Sequence, residues 1–237
     1  MKITTEKNKN QLERMAGNAL ADMIRLREGR PLLLLLSGGS SFNFLQYVPA
    51  EIFDSSVTFG MLDDRYSMDP SVNSAMMLKT TEFCRAAEER GATLLDSSVF
   101  PDESLADYAN RYEVGIINWI TTHPEGLIRA TVGIGPDGHT SGVLPFPENP
   151  QLFQTLFESD WLVVGYDVGN KNPHRYRLTS TFTLMRKFDA VLTYMSGEEK
   201  KDALERVLAE KGNLPETPGR IIRELNNVTI FTDIILR

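Results

Sequence analysis

The chain has 237 residues, of which 41% are hydrophobic and 24% charged, and it carries a formal net charge of −7 at pH 7. That length fits one α/β unit, a single domain over 1–237, large enough to bury a core without disulfide or metal staples. The acidic balance excludes general nucleic-acid binding, which needs a basic footprint, but not a small anionic ligand held by a few focused cations.

No run reaches the ~18 apolar residues of a membrane span, and the polar opening Met1–Asn10 lacks the apolar stretch of a secretory signal. A cytoplasmic protein with no membrane partner is expected. The single cysteine, Cys84, cannot form an intramolecular bridge, and beside Phe83 it reads as a half-buried structural thiol rather than a nucleophile.

Asn10–Arg27 carries Leu12, Met15, Ala16, Ala19, Leu20, Met23 and Ile24 at helical spacing and is ended by Gly29-Arg30-Pro31. Leu32–Leu36 reads as a strand buried on both faces, followed by Ser37-Gly38-Gly39-Ser40-Ser41 and a short helix to Tyr47. Val57–Leu62 is the next strand and ends in Asp63-Asp64-Arg65. Ser71–Arg90 predicts a helix, Thr93–Leu95 a short strand, and Pro101–Ser104 the start of a helix to Ile120. Ile128–Ile134 is a strand that runs into a Gly/Asp/His segment. Trp161–Tyr166 and Asp189–Met195 read as strands with a helix over Leu178–Lys187 between them; a helix over Glu198–Glu210 and a strand over Val228–Thr232 complete the chain.

Strands alternating with helices predict an α/β fold, a doubly wound, mostly parallel sheet with helices on both faces. Ligands in such sheets sit outside the carboxyl ends of the strands. Four polar clusters fall there: Ser37–Ser41, Asp63–Arg65, Gly135–His139 and the turn after Met195.

In the first cluster, Gly38 and Gly39 let backbone N–H groups close on an anion, with the hydroxyls of Ser37 and Ser40 and a helix N-terminus beside them. The same residues would also serve as a plain strand-to-helix turn with a serine cap. The loop matches neither G-x-G-x-x-G nor the G-K-[ST] ending of a nucleotide loop, and its length suits one phosphate group. In the second, Arg65 offers a fork for a carboxylate or phosphate. Asp63 and Asp64, adjacent on a strand, point to opposite faces and have different jobs. A solvated turn is the alternative for Asp63–Arg65. Asn73 and Ser74 begin a helix that would support the same pocket.

Gly133-Ile134-Gly135-Pro136-Asp137-Gly138-His139-Thr140 is the most informative stretch, because three glycines and a proline forbid a regular element. Asp137 stands two residues from His139, close enough to orient its imidazole, and histidine titrates where protons move near neutral pH. His123 and His174 lie in loops beside prolines and read as surface residues. Arg177-Leu178-Thr179 supplies a cation and a hydroxyl at a helix start. Gly197-Glu198-Glu199-Lys200 places Lys200 at a helix N-terminus, where a cation is disfavoured unless an anion accompanies it; taken alone, a solvated lysine is the simpler alternative. No H-x-x-x-H or C-x-x-C spacing exists, so no metal is expected.

Taken in order, these segments resemble the 6-phosphogluconolactonase family, within the larger group that contains glucosamine-6-phosphate deaminases. Members look like S-G-G-S-T-P, D-E-R with a downstream S-N, G-x-G-x-D-G-H-T-A-S-L-F-P, P-x-x-R-I-T-L-T and G-x-x-K. This chain has S-G-G-S-S-F, D-D-R, V-N-S, G-I-G-P-D-G-H-T-S-G-V-L-P, H-R-Y-R-L-T-S-T and G-E-E-K. It departs at Phe42, at Asp64 in place of glutamate, at Val72 in place of serine, at Ser141-Gly142 in place of A-S, and at Phe146.

The resemblance implies a Rossmann-like fold of the sugar-phosphate isomerase/deaminase type and a cofactor-free lactone hydrolase acting on 6-phosphogluconolactone, a monomer or small homo-oligomer. In it His139 would activate water with Asp137 orienting the ring. Arg65, Arg177 and Lys200 would hold phosphate or the developing oxyanion, Ser37–Ser40 would cradle phosphate, and Asp63 and Asn73 would complete the pocket. Two alternatives stand beside it. One is an amino-sugar phosphate deaminase or isomerase with Asp63 as base, against which counts the absence of the glutamate that follows D-G-H in deaminases. The other is a non-catalytic sugar-phosphate sensor.

Overall fold

Five consecutive leucines occupy the middle of the fold. The computed structural model describes residues 1–236. Its strands are β1 (Lys2–Thr5), β2 (Leu32–Leu36), β3 (Val57–Met61), β4 (Asp63–Arg65), β5 (Thr93–Leu95), β6 (Leu127–Gly133), β7 (Val163–Asp167), β8 (Tyr176–Ser180), β9 (Ala190–Met195) and β10 (Val228–Thr232). Its helices are α1 (Lys9–Arg25), α2 (Phe42–Leu45), α3 (Ser74–Lys79), α4 (Glu82–Glu89), α5 (Leu105–Thr122), α6 (Pro150–Phe157), α7 (Phe182–Met185) and α8 (Lys201–Leu208).

Seven strands in the order β1-β10-β9-β6-β2-β3-β5 form one sheet in which every pairing is parallel. Successive leucines of β2 face opposite sides. Leu33 and Leu35 pack with Tyr108, Ile116 and Trp119 of α5 and Phe182 of α7, whereas Leu32, Leu34 and Leu36 pack with Leu12, Leu20 and Ile24 of α1 and Phe83 of α4. All five are at most 1% exposed, each contributing roughly 1.5–3 kcal/mol of burial. Two cores of this size need helices on both faces, as the strand–helix alternation predicts.

Asp63-Asp64-Arg65 does not extend β3. It is a strand of a second, antiparallel sheet with the order β4-β8-β7. Leu62 transfers the chain between the sheets. Its N–H donates to the Leu36 carbonyl at 2.8 Å in the large sheet, and its own carbonyl accepts from Ser180 N at 3.0 Å and Ser180 Oγ at 2.7 Å in the small one. The strand expected at Trp161–Tyr166 is β7 and belongs to this second sheet.

The helix expected over Leu178–Lys187 is instead β8 followed by the four-residue α7, whose cap Thr181 accepts from Leu184 N. Threonines at 179 and 181 suit a pleated backbone, and β8 is paired on both edges, so tertiary pairing overrides the helix-like spacing beyond it. The helix expected over Ser71–Arg90 is α3 and α4. They break at Thr81, whose hydroxyl donates to Leu78 O at 2.6 Å and accepts from Cys84 N at 3.2 Å. Cys84 itself is fully buried, and burial, aided by Glu88, pushes its thiol up to about 12, as suits an inert structural cysteine. The polar, mostly exposed β1 has no alternation to betray it and is added in parallel to β10.

Candidate active site

A cavity of about 270 Å³ lies at the carboxyl ends of β2 and β6, roofed by the small sheet. Ser37, Gly38, Gly39, Ser40, Asp63, Arg65, His139, Arg177 and Lys200 all line it. The carboxyl ends of the large parallel sheet and the small antiparallel sheet together gather nine of the eleven candidate site residues.

The Gly133–Thr140 loop is a built object. Gly135 N donates to His139 O at 2.9 Å, Gly138 N to Gly135 O at 3.0 Å, and Thr140 Oγ1 to Gly133 O at 2.9 Å. The imidazole lies directly on Gly135: a Cβ there would sit 2.1 Å from His139 Cε1 and 2.3 Å from Nδ1. Asp137 does not line the cavity. It stands behind the ring, where Oδ1 accepts from His139 N at 3.1 Å and meets Nδ1 at 2.5 Å. A carboxylate acceptor fixes the proton on Nδ1 and leaves the lone pair on Nε2. Among the described residues the Nδ1 contact with Asp137 is the ring's one hydrogen bond, and Nε2 has no partner. Burial raises the Asp137 carboxyl, but the hydrogen bond and charge of His139 outweigh it and hold the group below its ordinary value.

Opposite this loop, Arg65 of β4 and Arg177 of β8 are direct partners across the antiparallel register. Arg65 Nη1 donates to Ser74 Oγ at 3.2 Å and to Val72 O at 3.3 Å. Arg177 is 5% exposed, and burial, with the neighbouring Arg65 adding to it, lowers its pKa against the pull of Asp63. Burial likewise lowers Lys200, with Glu199 and Asp233 opposing. Asp233 also shapes the turn that carries Lys200, accepting from Ser196 Oγ at 2.6 Å and Gly197 N at 2.9 Å. Three cations converge on one cavity, two of them as cross-strand neighbours, an arrangement that favours an anion there.

The family described as glucosamine-6-phosphate isomerases/6-phosphogluconolactonase matches residues 6–231 of the sequence. The chain belongs to this family. A 6-phosphogluconolactonase of Borreliella burgdorferi is 32% identical over 105 residues, a match covering 44% of this chain and 41% of the relative, so the chain aligns with less than half the length of that protein. A crystal structure of a 6-phosphogluconolactonase from Shewanella baltica superposes with a TM-score of 0.77 at 17% identity, covering 98% of this chain and 96% of that one. A monomeric glucosamine-6-phosphate deaminase superposes with a TM-score of 0.72 at 17% identity, covering 98% and 97%. At such identities the likeness is one of fold, and it is shared by both activities of the family.

Within the family fold the paired carboxylates divide as strand geometry requires. Asp63 faces the cavity, and burial pushes its carboxyl above the ordinary range against the pull of Arg65, Arg177 and His139. Asp64 points away and is fully buried. It accepts from Ser74 N at 2.6 Å, Ala75 N at 3.0 Å, Ser97 Oγ at 2.9 Å and Arg65 N at 2.8 Å, tying β4 to the start of α3. Burial pushes it up to about 7 in spite of these bonds.

Asn73 lies outside the cavity lining. Its Oδ1 caps α3 by accepting from Met76 N at 2.9 Å, and its Nδ2 donates to Arg65 O at 3.1 Å and Ser97 O at 3.3 Å. Ser74, the next residue, is the one that reaches the pocket. Ser37 lines the cavity but its hydroxyl accepts from Gly133 N at 2.9 Å, tying the β2 and β6 loops together. His123 stacks on Trp119 with ring centroids 4.9 Å apart, and His174 is exposed, both outside this cavity. Ser41, within the first polar cluster, also lines the cavity, as do Ser141 and Asn172, to which the sequence pattern gave no role in the site. Among the described residues no cluster of three or more His, Cys, Asp or Glu is placed to hold a metal, and no helix is long and apolar enough to cross a membrane.

Proposed function

We propose that the chain hydrolyses 6-phosphogluconolactone to 6-phosphogluconate, with His139 as the general base. The observation that carries this reading is the Asp137-backed imidazole, whose unpartnered Nε2 belongs to a cavity lined by three cations. Water held by Nε2 gives up a proton as its oxygen attacks the lactone carbonyl carbon. Asp137 stabilises the imidazolium, and a guanidinium steadies the negative charge on the former carbonyl oxygen. Collapse of that intermediate breaks the bond between the carbonyl carbon and the ring oxygen. The ring oxygen takes the proton from the imidazolium, and the new carboxyl group ionises to solvent. Lys200, the other guanidinium of the Arg65/Arg177 pair and the Ser37–Ser40 turn hold the phosphate. No cofactor enters this sequence of steps. We place the enzyme in the cytoplasm as a monomer or small homo-oligomer.

The test is loss of 6-phosphogluconolactone, generated in situ, faster than its spontaneous hydrolysis. A rate equal to the spontaneous one rejects the reading; thermal stabilisation by 6-phosphogluconate without turnover would then favour a sensor. A second reading draws on Asp63, a half-buried carboxyl on the cavity wall suited to abstracting a proton from an amino-sugar phosphate. Ammonia release from glucosamine 6-phosphate decides for it.

A further inference from the structure

Val143 N donates to Thr140 O at 2.8 Å and Thr140 N to Val143 O at 3.2 Å, so Ser141-Gly142 are the two central residues of a tight hairpin turn. Of the pair only Ser141 has a positive φ, at 50°. In a turn of this pattern the first central position is the one that favours glycine. Here glycine stands second, for reasons of space: a Cβ on residue 142 would lie 2.9 Å from Thr179 Cβ and 3.2 Å from Leu178 O. The chain therefore carries a side chain at the corner where the backbone strains against it.

Among the described residues no contact of Ser141 offsets that strain. Ser141 is 7% exposed, and its Oγ has no hydrogen-bond partner among the described residues. A buried hydroxyl without a partner is rare and unfavourable. Both features fall on a residue that lines the cavity together with His139 and Arg177. Strain and an unmet donor held together at a cavity wall point to a group that a ligand satisfies.

We propose that Ser141 is a substrate-contacting residue whose hydroxyl hydrogen-bonds an oxygen of the sugar at the reacting end of the cavity. Serine moves between staggered χ1 wells without backbone displacement, so Oγ, shut off from solvent in the free protein, turns into the cavity as the ligand enters. Two residues of chain separate Ser141 from His139, a span of at most about 7 Å. That places it by the carbonyl under attack rather than by the phosphate. The inference rests on the lactonase reading for the identity of the sugar.

The test compares wild type, Ser141→Ala and Ser141→Gly by thermal melting without ligand and by calorimetric titration with 6-phosphogluconate and with inorganic phosphate. Removing an unmet hydroxyl raises the melting temperature of the free protein, by about 2 °C for a chain of this size. Ser141→Gly, which also relieves the backbone, melts at least as high and guards against a folding defect. Both variants bind 6-phosphogluconate about five- to ten-fold more weakly, the loss of one hydrogen bond, while phosphate affinity stays within about two-fold. Unchanged 6-phosphogluconate affinity overturns the inference, as does an equal loss of phosphate affinity or a lowered melting temperature in Ser141→Ala. Wild type that binds 6-phosphogluconate yet fails to hydrolyse the lactone rejects the lactonase reading alone. Wild type that binds neither ligand overturns both.

Discussion

Arg65 and Arg177 face each other as direct partners across the β4–β8 ladder, beside the same cavity. Like charges directly opposite on one sheet face repel, and burial already depresses the Arg177 pKa, with Arg65 adding to the effect. An anion between them removes the repulsion. Phosphate should therefore raise the melting temperature of the wild type and do so much less for Arg177→Met, which keeps the bulk and drops the charge. Loss of a charge-assisted contact weakens substrate binding by roughly 10- to 100-fold, read as KM. An Arg177→Met enzyme with wild-type KM and an undiminished phosphate shift would show that the pair does not hold the anion.

His139 and Asp137 predict a graded loss. General-base catalysis accounts for about 10²- to 10⁴-fold in rate, so His139→Ala should lower kcat by that order while 6-phosphogluconate still binds. Asp137→Asn keeps the shape but presents an amide where Oδ1 accepted from both His139 N and Nδ1. It should reduce kcat as well, without weakening product binding. Full activity in His139→Ala would remove this residue from the chemistry.

The cavity was legible because its residues sit at strand ends, where side chains and glycine turns stand out against apolar runs. Ser37–Ser40, Arg65, His139 and Lys200 all fall in such places. The second sheet was not legible. Asp63–Arg65 reads as the tail of β3, and only the contacts of Leu62 to Leu36 and Ser180 show the chain changing sheets. For the same reason Arg177 reads as a helix start, although it is the cross-strand partner of Arg65. Asn172 reaches the cavity from the connection between β7 and β8, a position that depends wholly on the unseen sheet. Asn73 and Ser74 look equivalent in sequence; the helix cap takes the first and leaves the second facing the pocket. The strain at Ser141 is a backbone angle, which no residue pattern reports.

Asp64 makes stability depend on pH. Its carboxyl rises from 3.8 to about 7 on folding, chiefly through burial. Between those values the native state binds more protons than the unfolded one, so stability falls as pH rises through this window and levels off above it. The linkage is worth up to about 4 kcal/mol. Asp63, raised in the same direction, adds a slope of the same sign. Urea unfolding at intervals from pH 5 to pH 8 should show the decline in wild type and a shallower one in Asp64→Asn. Parallel curves for the two proteins would mean that Asp64 stays ionised throughout.

Gly135 offers a test of the proposed chemistry that leaves His139 and Asp137 themselves unsubstituted. A methyl group there would lie 2.1 Å from His139 Cε1, 2.3 Å from Nδ1 and 2.9 Å from Asp137 Oδ1. The backbone at this position is outside the left-handed region, so alanine brings no dihedral strain, and the conflict falls on the imidazole. The ring must leave its seat, which breaks the alignment with Asp137 and moves Nε2. Misplacing a reacting group by about 1 Å can lower a rate by roughly 10²-fold. Gly135→Ala should thus lose kcat on that scale, while 6-phosphogluconate affinity, which the proposed reading assigns to the cations across the cavity, changes by less than about three-fold. A variant with wild-type kcat would show that the seated imidazole is not the reacting geometry.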